Sequence, residues 1–141
     1  MIKAIEALSE YQQIETRTFF ISNIDYQAIE SIQRVINPET TLFIISSKSF
    51  NTIETRTNAE TLRTWMQQTG CDDLSKHFIA VSNNLDAAKE FGINDENVFE
   101  LWDWVGGPQL DYPLHYQSVL ITSKPYLLAP MKWMNIFLKH L

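Results

Sequence analysis

The 141-residue sequence holds one cysteine, Cys71, so no disulfide can form within the chain and a reducing compartment is expected. Long apolar runs are missing too. No uninterrupted stretch is long enough to span a bilayer, and the opening MIKAIEALSEYQ reads as an amphipathic helix carrying acids, unlike a secretory signal. Positive charge is scarce: 11 Lys and Arg stand against 17 Asp and Glu, a formal net charge of −6, with no Lys/Arg run to offset that average. A nucleic-acid surface is therefore not expected. The histidines His77, His115 and His140 have neither metal-ligand spacing nor an associated carboxylate motif, so no metal and no cofactor is expected. These absences point to a cytoplasmic chain without membrane or nucleic-acid partners.

What is present is enough apolar residue, 45% of the chain, to build one modest core. Patterning predicts helix over 2–13, strand 18–22, helix 26–36, strand 41–46, helix 52–69, strand 77–82, helix 85–91 and a short strand near 97–101. Strand and helix alternate throughout. Alternation implies right-handed βαβ crossovers, hence an α/β fold with a parallel sheet, helices on its faces, and ligands beyond the carboxyl ends of the strands.

Residues 37–60, NPETTLFIISSKSFNTIETRTNAE, carry the sharpest local signal. Leu42 to Ile45 form a continuous apolar run, the pattern of a strand buried on both faces. A turn of Ser46, Ser47, Lys48, Ser49 and Phe50 follows, and then a helix-forming segment closed by Gly70. The turn thus sits at a helix N-terminus, where free amides and the positive dipole end attract an anion. Hydroxyls of Ser47, Ser49 and Thr52 can add hydrogen bonds there, and Lys48 a mobile point charge. Simple helix capping by the same Ser and Thr residues is an equal alternative on composition alone. Capping is also the favoured reading of Asn83 and Asn84. Glu54, Arg56, Glu60 and Arg63 have spacings suited to surface ion pairs. Trp102 and Trp104 read as core or interface residues.

SSKSFNTIETRTNAET resembles the SKTFTTxET-TNA signature of the phosphoglucose isomerase family. SNID at 22–25, KHFIAVSNN at 76–84 and EFGINDENVFELWDWVGG at 90–107 resemble further family blocks in the same order. The resemblance covers roughly residues 1–107 and implies part of the first of the family's two sugar-isomerase (SIS) domains, a three-layer parallel-sheet fold that is incomplete here. It implies a phosphate-binding site at Ser47, Lys48, Ser49 and Thr52 for glucose 6-phosphate or fructose 6-phosphate. Ser49 replaces the usual Thr and keeps the hydroxyl, whereas Tyr26 stands where the family commonly has Gly. The implied assembly of the intact family is a homodimer.

Aldose–ketose isomerisation needs a general base, a cation to stabilise the enediolate, and a group that opens the sugar ring. The family's cation is an Arg directly after the Gly-Gly of WDWVGG; here Gly107 is followed by Pro108. The family's catalytic Glu, ring-opening His and further Lys fall in later segments, and its GIGGS loop falls upstream of Met1. No catalytic residue is expected in this chain.

Residues 108–141 change composition abruptly, with Asp111 against Lys124, Lys132 and Lys139. Suitable codons for Gln109 to Leu114, regrouped from the third base, read IGLPI, a peptide the family has shortly after WDWVGG. Residues 108–141 are accordingly read as an out-of-frame tail behind a deletion. Val119 to Ile121 and Tyr126 to Leu128 are available to cover apolar surface left by a partial sheet, with aggregation the expected fate of such a fragment. Three functions remain open: an isomerase fragment with negligible turnover, a non-catalytic sugar-phosphate binding module, and a degenerate gene product without function.

Overall fold

The apolar run at Leu42–Ile45 forms the central parallel strand that its composition predicts. The computed structural model describes residues 17–71, 73–101 and 118–123. In chain order these give β1 (Arg17–Ile21), α1 (Tyr26–Gln33), β2 (Thr41–Ser46), α2 (Ile53–Gln68), β3 (Phe78–Val81), α3 (Leu85–Phe91), β4 (Val98–Phe99) and β5 (Ser118–Ser123). Each predicted element from residue 18 to residue 101 appears within a few residues of its expected bounds. The helix expected over 2–13, Trp102, Trp104, Tyr126 to Leu128, His115 and His140 lie outside the described residues.

The strands form one sheet in the order β1-β5-β2-β3-β4. β2 pairs parallel with β3, from Phe43↔Phe78 to Ser46↔Val81, and β3 pairs parallel with β4. β5 departs from that parallel arrangement. It runs antiparallel to both neighbours, pairing Ile21↔Val119 on one side and Ile45↔Val119 on the other. β1 and β2 therefore point the same way, and the four strands preceding residue 108 share one direction around an inserted antiparallel strand. Of residues 108–141, Ser118–Ser123 are described, and they form an interior strand of the sheet between β1 and β2.

Chain progress from β1 to β4 always moves across the sheet in one direction, and right-handed crossovers then place all three helices on the same face. The core confirms this. Ile21, Phe43, Ile45, Phe78, Ala80, Val119 and Ile121 pack with Ile29 of α1, Leu62 and Met66 of α2, and Ala88 and Phe91 of α3. Leu42 and Ile79 point to the opposite face with Ile44 and Phe99, as the period-two alternation of a strand requires. The described helices supply one layer over the sheet, as in an incomplete α/β domain.

Helix ends follow local chemistry. Asp25 caps α1 by accepting from the amides of Gln27 and Ala28, both at 3.0 Å. Gly92, with φ of +100°, closes α3 in the left-handed conformation that glycine adopts without penalty. Arg56 pairs with Glu60 at 2.9 Å across one helical turn. Arg63 turns instead to the Phe91 carbonyl at 2.7 Å, its guanidinium 5.1 Å from the ring centroid. Among the described residues, no helix is long and apolar enough to cross a membrane, and no group of His, Cys, Asp or Glu is arranged to hold a metal.

Candidate functional site

Three loops lie at the carboxyl edge of the sheet: 22–25 after β1, 47–52 after β2 and 82–84 after β3. The middle one contains the four residues singled out in the sequence. Ser47 extends the β2–β3 ladder by donating its amide to the Val81 carbonyl at 3.1 Å, and its side chain is fully buried. Its Oγ lies 3.4 Å from the Thr52 hydroxyl. Lys48 and Ser49 are exposed. Ser49 Oγ accepts the Asn51 amide at 3.3 Å, which stiffens the turn.

Thr52 occupies the N-cap position of α2 but makes no side-chain capping bond. Its hydroxyl turns towards Ser47. The amides of Ile53, Glu54 and Thr55 belong to the first helical turn, which has no intrahelical acceptors, and the first bond inside the helix is Arg56 N–H to the Thr52 carbonyl at 2.9 Å. An uncapped N-terminus flanked by two hydroxyls and a lysine is chemically suited to an oxyanion. Helix capping by these hydroxyls, the equal alternative on composition, is not what Thr52 does.

The turn bends through Phe50, which has φ of +57°, the only non-glycine residue in the left-handed region among those described. That conformation costs about 1–2 kcal/mol for a residue with a Cβ. The ring offsets it. Phe50 is 4% exposed and meets Phe91 edge-on at 5.8 Å; Phe91 meets Phe78 at 5.7 Å, and Phe78 stacks on Phe43 at 4.9 Å. Burying a phenylalanine contributes about 1.5–3 kcal/mol, enough to hold the strained residue in place. Tyr26, by contrast, has no positive φ and is 61% exposed, so its replacement of glycine introduces no backbone strain.

The loop after β1 is tied to α2, and the loop after β3 to the turn itself. The buried Asn58 of α2 donates its Nδ2 to the Asn23 carbonyl at 3.0 Å and so ties down the loop after β1. Asn84 caps α3 through Oδ1, accepting the Ala87 amide at 3.1 Å, which fits the capping reading; its Nδ2 also donates to the Ser49 carbonyl at 3.0 Å. Neither the Phe50 conformation nor the second role of Asn84 has a sequence signature. Both arise from contacts between segments more than thirty residues apart, about which local composition is silent.

Groups with displaced pKa values lie in exposed ion pairs. The Lys76 ammonium, hydrogen-bonded at 2.8 Å, holds the Asp73 carboxyl below the usual carboxylate range, with Ser75 assisting. Glu60, by hydrogen bond and charge, raises Arg56. A shallow groove of ≈ 440 Å³ is lined by Gln33, Thr57, Thr61 and Trp65 among others, on flanks of α1 and α2 that do not include the Ser47 turn. Its lining gathers no catalytic set.

The phosphoglucose isomerase family model matches residues 1–113. A glucose-6-phosphate isomerase from Hahella chejuensis is 52% identical over 106 residues, covering 74% of this chain and 19% of the relative. Those of Dechloromonas aromatica and Paraburkholderia phymatum are each 50% identical, over 103 and 105 residues, covering 72% and 73% of this chain and 20% and 19% of the relatives. The chain spans about a fifth of the length of the curated relatives it matches.

Proposed function

The chain belongs to the phosphoglucose isomerase family, and on that premise we propose that it is an incomplete sugar-isomerase domain whose turn over residues 47–52 holds a sugar phosphate without isomerising it. The observation that carries this reading is the uncapped N-terminus of α2, with the Ser47 and Thr52 hydroxyls 3.4 Å apart beside it. Ser47, Lys48, Ser49 and Thr52 are the residues assigned to the phosphate of glucose 6-phosphate or fructose 6-phosphate. The reading includes the cytoplasm as location, which suits the free thiol of Cys71.

Isomerisation itself is not part of the proposal. The position after Gly107 is Pro108, whose side chain offers no positive charge to a developing enediolate. In an assay coupling fructose 6-phosphate to glucose 6-phosphate detection, the purified chain is expected to give background rates only. 6-Phosphogluconate is expected to raise its thermal midpoint in the same preparation. Turnover above background would mean that another group supplies the missing cation. Absence of any shift would favour the degenerate gene product over the binding module.

The out-of-frame origin of residues 108–141 belongs to the same proposal and has its own test. Sequencing of the gene is expected to show that codons 109–114, regrouped from the third base, encode Ile-Gly-Leu-Pro-Ile. Codons incompatible with that peptide would remove the frameshift and leave residues 108–141 as a genuine in-frame sequence.

A further inference from the structure

We propose that Ser82 and Asn84 are positioning residues for the anion turn, acting through the carbonyls of Lys48 and Ser49 rather than by touching a ligand. The inference rests on the anion-binding reading of that turn. The Lys48 carbonyl accepts two hydrogen bonds from the loop after β3: the Asn83 amide at 3.0 Å and the Ser82 hydroxyl at 3.1 Å. Ser82 is fully buried, and the same Oγ accepts the Asn84 amide at 3.1 Å, so its one proton is committed to Lys48. Asn84 Nδ2 then holds the next carbonyl, that of Ser49, at 3.0 Å.

Two consecutive carbonyls of one loop are thus drawn towards a second loop. A peptide group has its N–H opposite its C=O, so anchoring the Lys48 and Ser49 carbonyls also fixes the directions of the Ser49 and Phe50 amides. Phe50 N–H is bonded back to the Ser47 carbonyl at 3.3 Å, and Phe50 is the residue in the left-handed conformation. Fixing these orientations before a ligand arrives lowers the ordering cost of binding. Asn84 divides its work by atom, with Oδ1 capping α3 and Nδ2 bracing the turn.

That division makes the proposal separable from helix stability. Serine is as good an N-cap as asparagine but has no amide to reach Ser49, so Asn84→Ser removes the brace and keeps the cap. On the full chain, inorganic phosphate titration of Asn84→Ser and Ser82→Ala is expected to give dissociation constants raised about threefold to tenfold, the effect of one lost hydrogen bond. The thermal midpoint of Asn84→Ser is expected within about 4 °C of the wild type. Hydrogen exchange at the Asn83 and Phe50 amides is expected to accelerate in both variants. Unchanged affinity, or unchanged exchange at those two amides, would overturn the brace. Failure of the wild-type chain to bind phosphate would overturn the anion reading instead, and accelerated exchange in the variants would still establish that Ser82 and Asn84 hold the turn.

Discussion

Replacing Ile121 with aspartate is expected to abolish the cooperative thermal unfolding of the chain and leave an aggregating species. Ile121 is fully buried, opposite Phe19 of β1 on one side and Phe43 of β2 on the other. Losing its burial costs about 1.5–3 kcal/mol, and an uncompensated carboxylate in the same place costs several more. Domain stabilities are about 5–15 kcal/mol, and a chain with a partial sheet is not expected near the top of that range. Ile121→Val is the control, at about 0.5–1.5 kcal/mol, and should retain a melting transition. Circular dichroism melts of both variants decide the matter. A wild-type melt for Ile121→Asp would mean that β5 does not form an interior strand of the sheet.

The consequence reaches the site because β5 holds β1 and β2 apart. The loops that follow β1 and β2 both lie at the carboxyl edge, where Asn58 on α2 ties the first of them and Ser47 opens the second. With β5 removed, two strands would lose the ladder on one side each, and their unpaired edges would invite association with other chains. A segment read from its sequence as foreign to the family therefore completes the sheet on which the candidate site is mounted.

Elements built from local signals were legible in the sequence. The apolar run at Leu42–Ile45 and the strand–helix alternation after it gave β2, α2, β3 and α3 within a residue or two, because burial on both faces and right-handed crossovers leave few alternatives. The strand–turn–helix layout around residues 47–52 was legible for the same reason: a strand end followed at once by a helix start brings Ser47 and Thr52 together. The placement of β5 was not. Val119 and Ile121 alternate as in any half-buried strand, but the choice of slot and direction depends on which strand edges stand open elsewhere in the chain. Phe50 was equally hidden, since its positive φ is tolerated only where Phe91 receives the ring. Arg63 illustrates the limit of spacing rules. Its position suits a surface ion pair, yet the nearby Phe91 carbonyl and ring take the guanidinium.

Lys48→Ala is expected to weaken phosphate and 6-phosphogluconate binding about tenfold while leaving the melting transition unchanged. Exposed ion pairs contribute about 0.2–1 kcal/mol and charge-assisted hydrogen bonds about 1.5–3 kcal/mol. Lys48 is exposed but stands beside an uncapped helix terminus, so a value near 1.4 kcal/mol, or tenfold, lies between the two. The Lys48 carbonyl that holds the loop after β3 is kept by the alanine, so that link between the two loops should survive the substitution. Salt separates charge from shape. Raising ionic strength from about 0.01 M to about 1 M shortens the screening length from about 30 Å to about 3 Å. Wild-type affinity should then fall towards that of Lys48→Ala, while the hydroxyl and amide contribution common to both persists. Equal affinities for wild type and variant at low salt would sink the role assigned to Lys48. The anion would then be left to the α2 amides with Ser47 and Thr52, and a charge-neutral variant, Ser47→Ala, should become the more damaging of the two.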